Sequence, residues 1–261
     1  MRGSVCGILN RPARAASPLR RSSAPANVFG RCAGSGLLAL GLALFHATVQ
    51  PANAVEPPDS TISQASLSIE TASRDARQLA AWVIERADNK GLPFMIIDKV
   101  TAEALAFDRQ GALLGIAPVL LGVARGDDSP PGIGDRALSS ITPEERITPA
   151  GRFVAAPGVN LKGKNIVWVD YDAAISLHAV ITGKVSDRRL HRLTTATPAD
   201  NRISYGCINL PAEFFETIVR PFFGVTISIV YILPETRSIT DEFFTTPESA
   251  PGARSIQNAA P

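Results

Sequence analysis

Residues 201–209 read Asn-Arg-Ile-Ser-Tyr-Gly-Cys-Ile-Asn, and this stretch concentrates the reactive chemistry of the 261-residue chain. Gly206 lets the backbone turn tightly, so Cys207 is expected to project its sulfur from a sharp loop. Backbone N–H groups beside such a turn can hold an oxyanion. A helix led by Pro211 would favour the thiolate if its positive end points toward the sulfur. The stretch is therefore typical of a reactive cysteine.

A reactive thiol needs a base, and beyond residue 54 the chain has two histidines, His178 and His191. Both precede Cys207, whereas papain-like proteases place the cysteine first. Apolar residues alternate along 175–181, which predicts a strand with His178 and Ser176 together on its other face. His191 lies in a charged run typical of a solvent-facing segment. We favour His178 as the base because a strand holds a side chain more firmly than a polar loop does; His191 remains the alternative.

The N-terminal segment 1–54 has the pattern of a secretory signal peptide. Its six arginines and no acidic residues are followed by an apolar run at 36–47 and by Ala52-Asn53-Ala54, so cleavage is expected before Val55. The apolar run is shorter than the ~20 residues of a membrane span. We expect export to the periplasm or cell envelope, with no stable membrane insertion after cleavage.

Composition excludes several function classes. The chain is 45% hydrophobic and 19% charged, as in globular proteins. Its net charge of +2 comes from the first segment, because removing those six arginines leaves 20 basic against 24 acidic residues, or −4. No basic face remains for nucleic acid. One Cys and two His without metal-ligand spacing are a poor supply for a metal site, so we expect no metal.

The rest of the chain is predicted to form one β-rich domain at 93–234 with flanking segments. Residues 55–92 hold a linker and an amphipathic helix from about 67 to 89, and residues 235–261 are a flexible tail. The Gly- and Pro-rich segment 125–146 is either a binding loop or a surface insertion. A further helix is expected at 211–223. The predicted strands are 94–100, 104–108, 112–123, 151–155, 166–170, 175–182 and 225–233.

Two motifs in this domain resemble those of the L,D-transpeptidase catalytic domain of the YkuD type. Ser204-Tyr205-Gly206-Cys207-Ile208-Asn209 matches the family signature, Ser/Thr-x-Gly-Cys-aliphatic-Arg/Asn, at every fixed position. Thr148-Pro149-Ala150-Gly151-Arg152-Phe153 matches a weaker upstream mark. One departure concerns the base: His191 lies 16 residues before the cysteine, near the family spacing, whereas His178 lies 29 before it. We therefore interpret 183–202 as an insertion.

The resemblance implies a mostly β, sandwich-like fold with one or two small helices, and acyl transfer on peptidoglycan without a cofactor. Cys207 would attack a tetrapeptide stem, forming a thioester, and His178 would move the proton. The backbone around Tyr205 and Gly206 would hold the oxyanion, and Ser204 would hydrogen-bond within the motif or shape the turn. Asn209 is expected to orient the loop or bind a substrate carboxylate, and Arg202 to bind a carboxylate or form a surface ion pair.

The sequence is compatible with three functions. The favoured one is transpeptidation between peptidoglycan stem peptides, or attachment of an envelope protein to the wall. A peptidoglycan amidase or carboxypeptidase would use the same cysteine and base with water as the acceptor. A catalytically idle wall-binding module would instead keep its thiol buried and slow to alkylate.

Overall fold

Ten strands of residues 69–245, the part that the computed structural model describes, form an eight-stranded sheet and a two-stranded one. The large sheet has the order β3-β2-β1-β10-β5-β6-β7-β9, and β4 pairs with β8. The predicted mostly β fold with a few small helices is confirmed. The predicted signal peptide 1–54 and residues 246–261 of the predicted tail lie outside the described residues. The strands are β1 Phe94–Asp98, β2 Glu103–Phe107, β3 Leu113–Pro118, β4 Leu121–Gly122, β5 Gly151–Val159, β6 Asn165–Asp170, β7 Ile175–Ala179, β8 Arg202–Ser204, β9 Ile208–Leu210 and β10 Ser228–Ile232.

Strand β1 is buried on both faces, and its residues alternate between two core clusters. Met95 and Ile97 belong to a core cluster that also contains residues of β6, β7 and β9, from the other end of the sheet. The sheet therefore bends round on itself into a nearly closed sandwich. Phe94 and Ile96 point the other way, into a second cluster with the N-terminal helix.

The N-terminal helix α1 spans Arg74–Arg86. A helical turn at 69–71 precedes it, so the predicted helix 67–89 is interrupted at 72–73 and ends early, and its residues 67–68 lie outside the described part of the chain. Ser73 caps its start by accepting the Ala76 N–H at 3.1 Å, and Ala87 ends it in the left-handed conformation with φ of 49°. Hydrophobic periodicity does not reveal where such caps fall. The helix packs on β1, β2 and β10 through its buried face, which consists of Ala76, Leu79, Ala80 and Val83.

The short strands were the least predictable elements. The predicted strand 112–123 is divided into β3 and β4, and the three-residue strands β8 and β9 were missed. The predicted helix at 211–223 is one helical segment at 212–223, called the 212–223 helix below, whose middle turn Phe215–Val219 is a π-helix. A four-residue helix, α2 (Arg189–Arg192), lies inside the interpreted insertion.

The packed domain extends beyond the predicted boundary at residue 234. Glu235, assigned by sequence to the tail, is buried and forms ion pairs with Arg202 and Lys99. A π-helical turn at Thr240–Phe244 follows, and Phe243 and Phe244 pack against the cluster under α1. The polar composition of this segment suggested an exposed tail. Its charged side chain at Glu235 is buried because it is paired with Arg202 and Lys99.

Candidate active site

The parallel pair β7–β9 brings the cysteine and the favoured histidine to one face of the sheet. His178 lies opposite Asn209, and Leu177 opposite Ile208. Leu177 and Ile208 point into the core, so His178 and Asn209 occupy the other face. Cys207 precedes Asn209 by two residues and therefore lies on the same face of the sheet as Asn209. Residues 29 positions apart in the sequence are thus joined by strand pairing.

The thiol-bearing turn needs glycine at position 206. Gly206 has φ of 123°, and a Cβ there would lie 2.7 Å from the Ile147 carbonyl oxygen. Ser204 Oγ donates to the Cys207 carbonyl at 2.7 Å and accepts the Gly206 N–H at 3.0 Å. Ser204 therefore shapes the turn. The Gly206 N–H, expected as an oxyanion donor, is bound to that hydroxyl instead.

Thr148 connects the upstream motif to the same turn. Its Oγ1 donates to the Gly206 carbonyl at 2.8 Å and accepts the Gly122 N–H at 2.9 Å. The Thr148 side chain is fully buried, and the backbone carbonyl of Thr148 accepts a hydrogen bond from Lys99 Nζ at 3.0 Å. The sequence identified Thr148 only as the first residue of the upstream motif. The structure makes it the anchor of the cysteine turn.

The surroundings of the Cys207 thiol are polar although the residue is only 3% exposed. Sγ lies 3.6 Å from Ser176 Oγ and 3.7 Å from the Ala174 carbonyl oxygen. Ser176 is the residue that shares the strand face with His178, so the alternation along β7 could have identified it as a residue of the site. Burial is what the idle-module hypothesis expects, whereas a hydroxyl at hydrogen-bond distance from the sulfur is not typical of an inert thiol.

His178 is held in one orientation with one ring nitrogen open. Nδ1 lies 2.8 Å from the Ala179 carbonyl oxygen, and because a carbonyl only accepts, Nδ1 carries the proton of the neutral ring. Nε2 is buried and has no hydrogen-bond partner among residues 69–245, so it is a proton acceptor by tautomer. His191, by contrast, is exposed on α2 and lines a surface pocket of about 120 Å³ with Arg188, Arg192, Thr195 and Asp200.

Asn209 has both ends of its side chain engaged by the protein. Nδ2 donates to the Cys207 carbonyl at 3.1 Å, and Oδ1 accepts from Arg189 Nη1 at 3.1 Å. The first contact agrees with the loop-orienting interpretation of this residue. Arg189, which sequence reasoning passed over inside a charged run, is 3% exposed and reaches the site through the second contact.

Arg202 lies in an ion-pair cluster instead of on the surface. Its guanidinium binds Glu235 at 2.6 Å and 3.1 Å and donates to the Lys99 carbonyl at 2.8 Å. The expected surface pair with a neighbouring carboxylate is replaced by this buried one. With its donors engaged in this way, Arg202 does not present a guanidinium ready for a substrate carboxylate.

Two further loops border the site. The Arg146 guanidinium carbon lies 3.9 Å from the centre of the Tyr205 ring, a cation–π contact that joins segment 125–146 to the cysteine turn. In the same segment Gly134 packs on the turn before β7, where a Cβ would lie 2.3 Å from the Asp172 carbonyl oxygen. The segment is therefore docked beside the turn that carries Ala174.

The 212–223 helix does not act on the thiol as the sequence suggested it might. Strand β9 separates its first residue from Cys207. Three extended residues carry the chain about 10 Å, and the field of a helix terminus falls off within its first turn. The Ser176 hydroxyl is a side-chain group that does lie within hydrogen-bond distance of the sulfur.

Replacing Ser176 by alanine is expected to slow alkylation of Cys207 by iodoacetamide at pH 7 about fivefold, because one hydrogen bond to the reacting sulfur contributes about 1 kcal/mol. Intact-mass kinetics provide the measurement. Ser228→Ala is the matched control, since Ser228 is also buried, on β10, and no described residue hydrogen-bonds to its Oγ. Equal rates for both variants would contradict a role for Ser176.

Neither metal sites nor membrane spans are found between residues 69 and 245. No group of three or more His, Cys, Asp or Glu side chains in that range is placed to hold a metal ion. No helix in the range is long and apolar enough to cross a membrane.

Comparisons with known proteins give similarity to solved structures only. No family model matches the chain, and no curated protein matches it. The chain is similar to LD transpeptidase LdtMt1 in complex with imipenem, at 16% identity and TM-score 0.33 over 54% of this chain and 58% of that one. It is similar to the catalytic domain of the E. faecium L,D-transpeptidase, at 14% identity and TM-score 0.29 over 54% and 96%. It is also similar to the helical cell shape determining protein Pgp2 (K307A mutant) from Campylobacter jejuni, at 12% identity and TM-score 0.36 over 64% and 58%.

The matched region spans 58% of both the LdtMt1 and the Pgp2 chains. At TM-scores of 0.29 to 0.36 these likenesses do not carry a functional assignment. The function of this chain therefore has to follow from the chemistry of its own site.

Proposed function

We propose that this chain is a cysteine-dependent acyltransferase of the L,D-transpeptidase type that acts on peptidoglycan stem peptides. The observation that carries the proposal is the shared face of β7 and β9, which holds His178, Ser176 and Cys207, with Ser176 Oγ 3.6 Å from Cys207 Sγ. The His178 ring is fixed through Nδ1, which leaves Nε2 to accept a proton. Nucleophile, base and base-orienting group are the parts that covalent acyl transfer requires.

The first half-reaction forms a thioester. His178 Nε2 takes the thiol proton as Cys207 Sγ bonds to the carbonyl carbon of the third stem residue. The tetrahedral intermediate then collapses, the C–N bond to the terminal D-alanine breaks, and the imidazolium returns the proton to the leaving amine. The acyl group remains on sulfur.

The second half-reaction transfers the acyl group to an amine. The amine of another stem attacks the thioester carbon and loses a proton to His178, which returns it to the departing thiolate. A 3-3 crosslink results. An amine of an envelope protein is a second acceptor for the same chemistry, and water as acceptor would give a trimmed stem.

One of the expected oxyanion donors is already engaged within the protein. Because the Gly206 N–H is bound to Ser204, we assign the role to the Tyr205 N–H in the same turn. Arg146 stacked on the Tyr205 ring and Thr148 bound to the Gly206 carbonyl would keep this turn rigid.

Export to the periplasm or cell envelope is part of the proposal, and it rests on the arginines, apolar run and Ala52-Asn53-Ala54 site of segment 1–54. A stem peptide is found outside the cytoplasmic membrane only after the wall precursor has crossed it. An enzyme for stem crosslinking therefore has to cross as well.

The test is to incubate the protein with disaccharide-tetrapeptides and separate the products by mass. Dimers linked 3-3 support transpeptidation, trimmed tripeptides indicate hydrolysis, and unchanged substrate indicates an idle module. Cys207→Ala must abolish any product. A substrate change that survives Cys207→Ala contradicts the cysteine mechanism.

Acylation by a carbapenem is the second expected result, because a strained β-lactam carbonyl is open to the same thiolate attack. Intact-mass analysis should show one drug added per chain, at Cys207, and none in Cys207→Ala. Absence of an adduct after prolonged incubation would count against the enzyme assignment.

A further inference from the structure

The inserted segment delivers a buried cation to the thiol face. Arg189, the first residue of α2, has a side chain only 2% exposed, whereas its neighbours Arg188 and Leu190 are exposed. A guanidinium is costly to bury unless its donors are satisfied. The buried guanidinium of Arg189 therefore requires hydrogen-bond acceptors.

Its position is fixed by Asn209. Arg189 Nη1 donates to Asn209 Oδ1 at 3.1 Å, and Asn209 Nδ2 donates to the Cys207 carbonyl at 3.1 Å. Asn209 is also the residue opposite His178 in the β7–β9 pair. The cation thus stands two hydrogen bonds from the cysteine, through a residue that pairs with His178.

The pairing of Arg189 within the protein is incomplete. Asp187 Oδ2 lies 3.3 Å from Nε and is partly exposed, and the Asn209 partner is neutral. Nη2 has no hydrogen-bond acceptor within residues 69–245, although a guanidinium offers five N–H donors. A second carboxylate would fit this remaining edge, because carboxylates bind guanidinium through parallel N–H···O bonds.

We propose that Arg189 binds the terminal carboxylate of the acyl-donor peptide. This inference rests on the proposed function for the identity of the donor. The terminal residue of a tetrapeptide stem carries its carboxylate next to the scissile bond, so a cation anchored through Asn209 holds that bond at the thiol. The insertion then supplies donor recognition, and donors ending in an amide or a neutral group bind poorly.

The experiment compares two alkylating reagents that differ in charge. Iodoacetate carries a carboxylate, iodoacetamide is its neutral counterpart, and the ratio of their rates at Cys207 cancels changes in thiol ionisation. Arg189→Gln in the full chain is expected to lower the iodoacetate to iodoacetamide ratio about three- to tenfold, the effect of one cation near the thiol. Arg189→Lys, which keeps the charge, should retain most of the wild-type ratio.

Arg188→Gln is the matched control, because it removes the same charge from the adjacent exposed position. It should leave the ratio unchanged, and thermal melting identifies any variant that fails to fold. An equal ratio for wild type and Arg189→Gln would overturn the subsite.

A binding measurement covers the case in which neither reagent reaches the thiol. In a Cys207→Ala background, an N-acetylated dipeptide ending in D-alanine should bind more tightly than its C-terminal amide, and Arg189→Gln should remove the preference. Equal or undetectable binding of both peptides would overturn the subsite. A charge preference without any acyl-enzyme would instead retain the subsite and remove the proposed function.

Discussion

Replacing His178 by alanine is expected to slow acylation of Cys207 by a carbapenem about 10²- to 10⁴-fold, the usual contribution of a positioned general base. The ring has its Nδ1 fixed on the Ala179 carbonyl, and Nε2 is its remaining acceptor. Without the ring, the thiol must lose its proton to solvent. The rate of adduct formation by intact mass gives the measurement.

His191→Ala is the matched control for this prediction. His191 is exposed on α2 and lies nearer to Cys207 in sequence, which is why spacing alone left it open as the base. Its replacement should leave the acylation rate unchanged. If His191→Ala stops acylation while His178→Ala does not, the assignment of the base is wrong.

The second large effect concerns stability. Asp127→Asn is expected to lower the free energy of unfolding by about 3–5 kcal/mol, because it removes the nearer of the two carboxylates that pair with the buried ammonium of Lys99. Lys99 Nζ lies 2.7 Å from Asp127 Oδ1, and both side chains are almost fully buried. Asp127 also accepts the backbone N–H groups of Glu235, Thr236 and Arg237. Urea unfolding followed by circular dichroism measures the change.

The neighbouring Asp128 provides the control for the buried pair. Its side chain is 76% exposed and pairs with Arg237, so Asp128→Asn should cost at most about 1 kcal/mol. Similar losses for the two variants would contradict the special role of Asp127.

Acid stability should follow the same pair. Burial alone would raise the pKa of Asp127, but the Lys99 ammonium and the N–H donors lower it far below its ordinary value. A carboxyl whose folded pKa is depressed stabilises the fold above its unfolded pKa of about 3.9 and loses that contribution as pH falls below it. The wild type should therefore lose more stability than Asp127→Asn on acidification below about pH 4.

The ion-pair cluster also explains why the tail was predicted wrongly at its start. Glu235 and Arg202 look like surface residues in the sequence, because charged side chains are rarely buried. In the fold they bind each other, with Lys99 and Asp127 beside them. Ion pairs between residues distant in the chain have no signature in a single sequence.

The positions of strands and of the reactive turn followed from local patterns. Alternation along β7 placed His178 and Ser176 on one face, and Gly206 predicted a tight turn that the positive φ confirms. Short β-branched and apolar runs broken by Gly, Pro and Asp predicted the β-rich class. Strands of three residues, such as β8 and β9, are too short to alternate visibly, so their pairing was missed.

Local chemistry and periodicity by themselves determined the mostly β architecture, the reactive cysteine turn and the strand face of the favoured histidine. Only the tertiary structure decided what those groups touch: Ser176 at the sulfur, Arg189 at Asn209, Thr148 at Gly206, and Arg202 at Glu235. The reason is physical. A side-chain period records which face a residue occupies, whereas the contact made on that face depends on strand register and on segments that return from far along the chain.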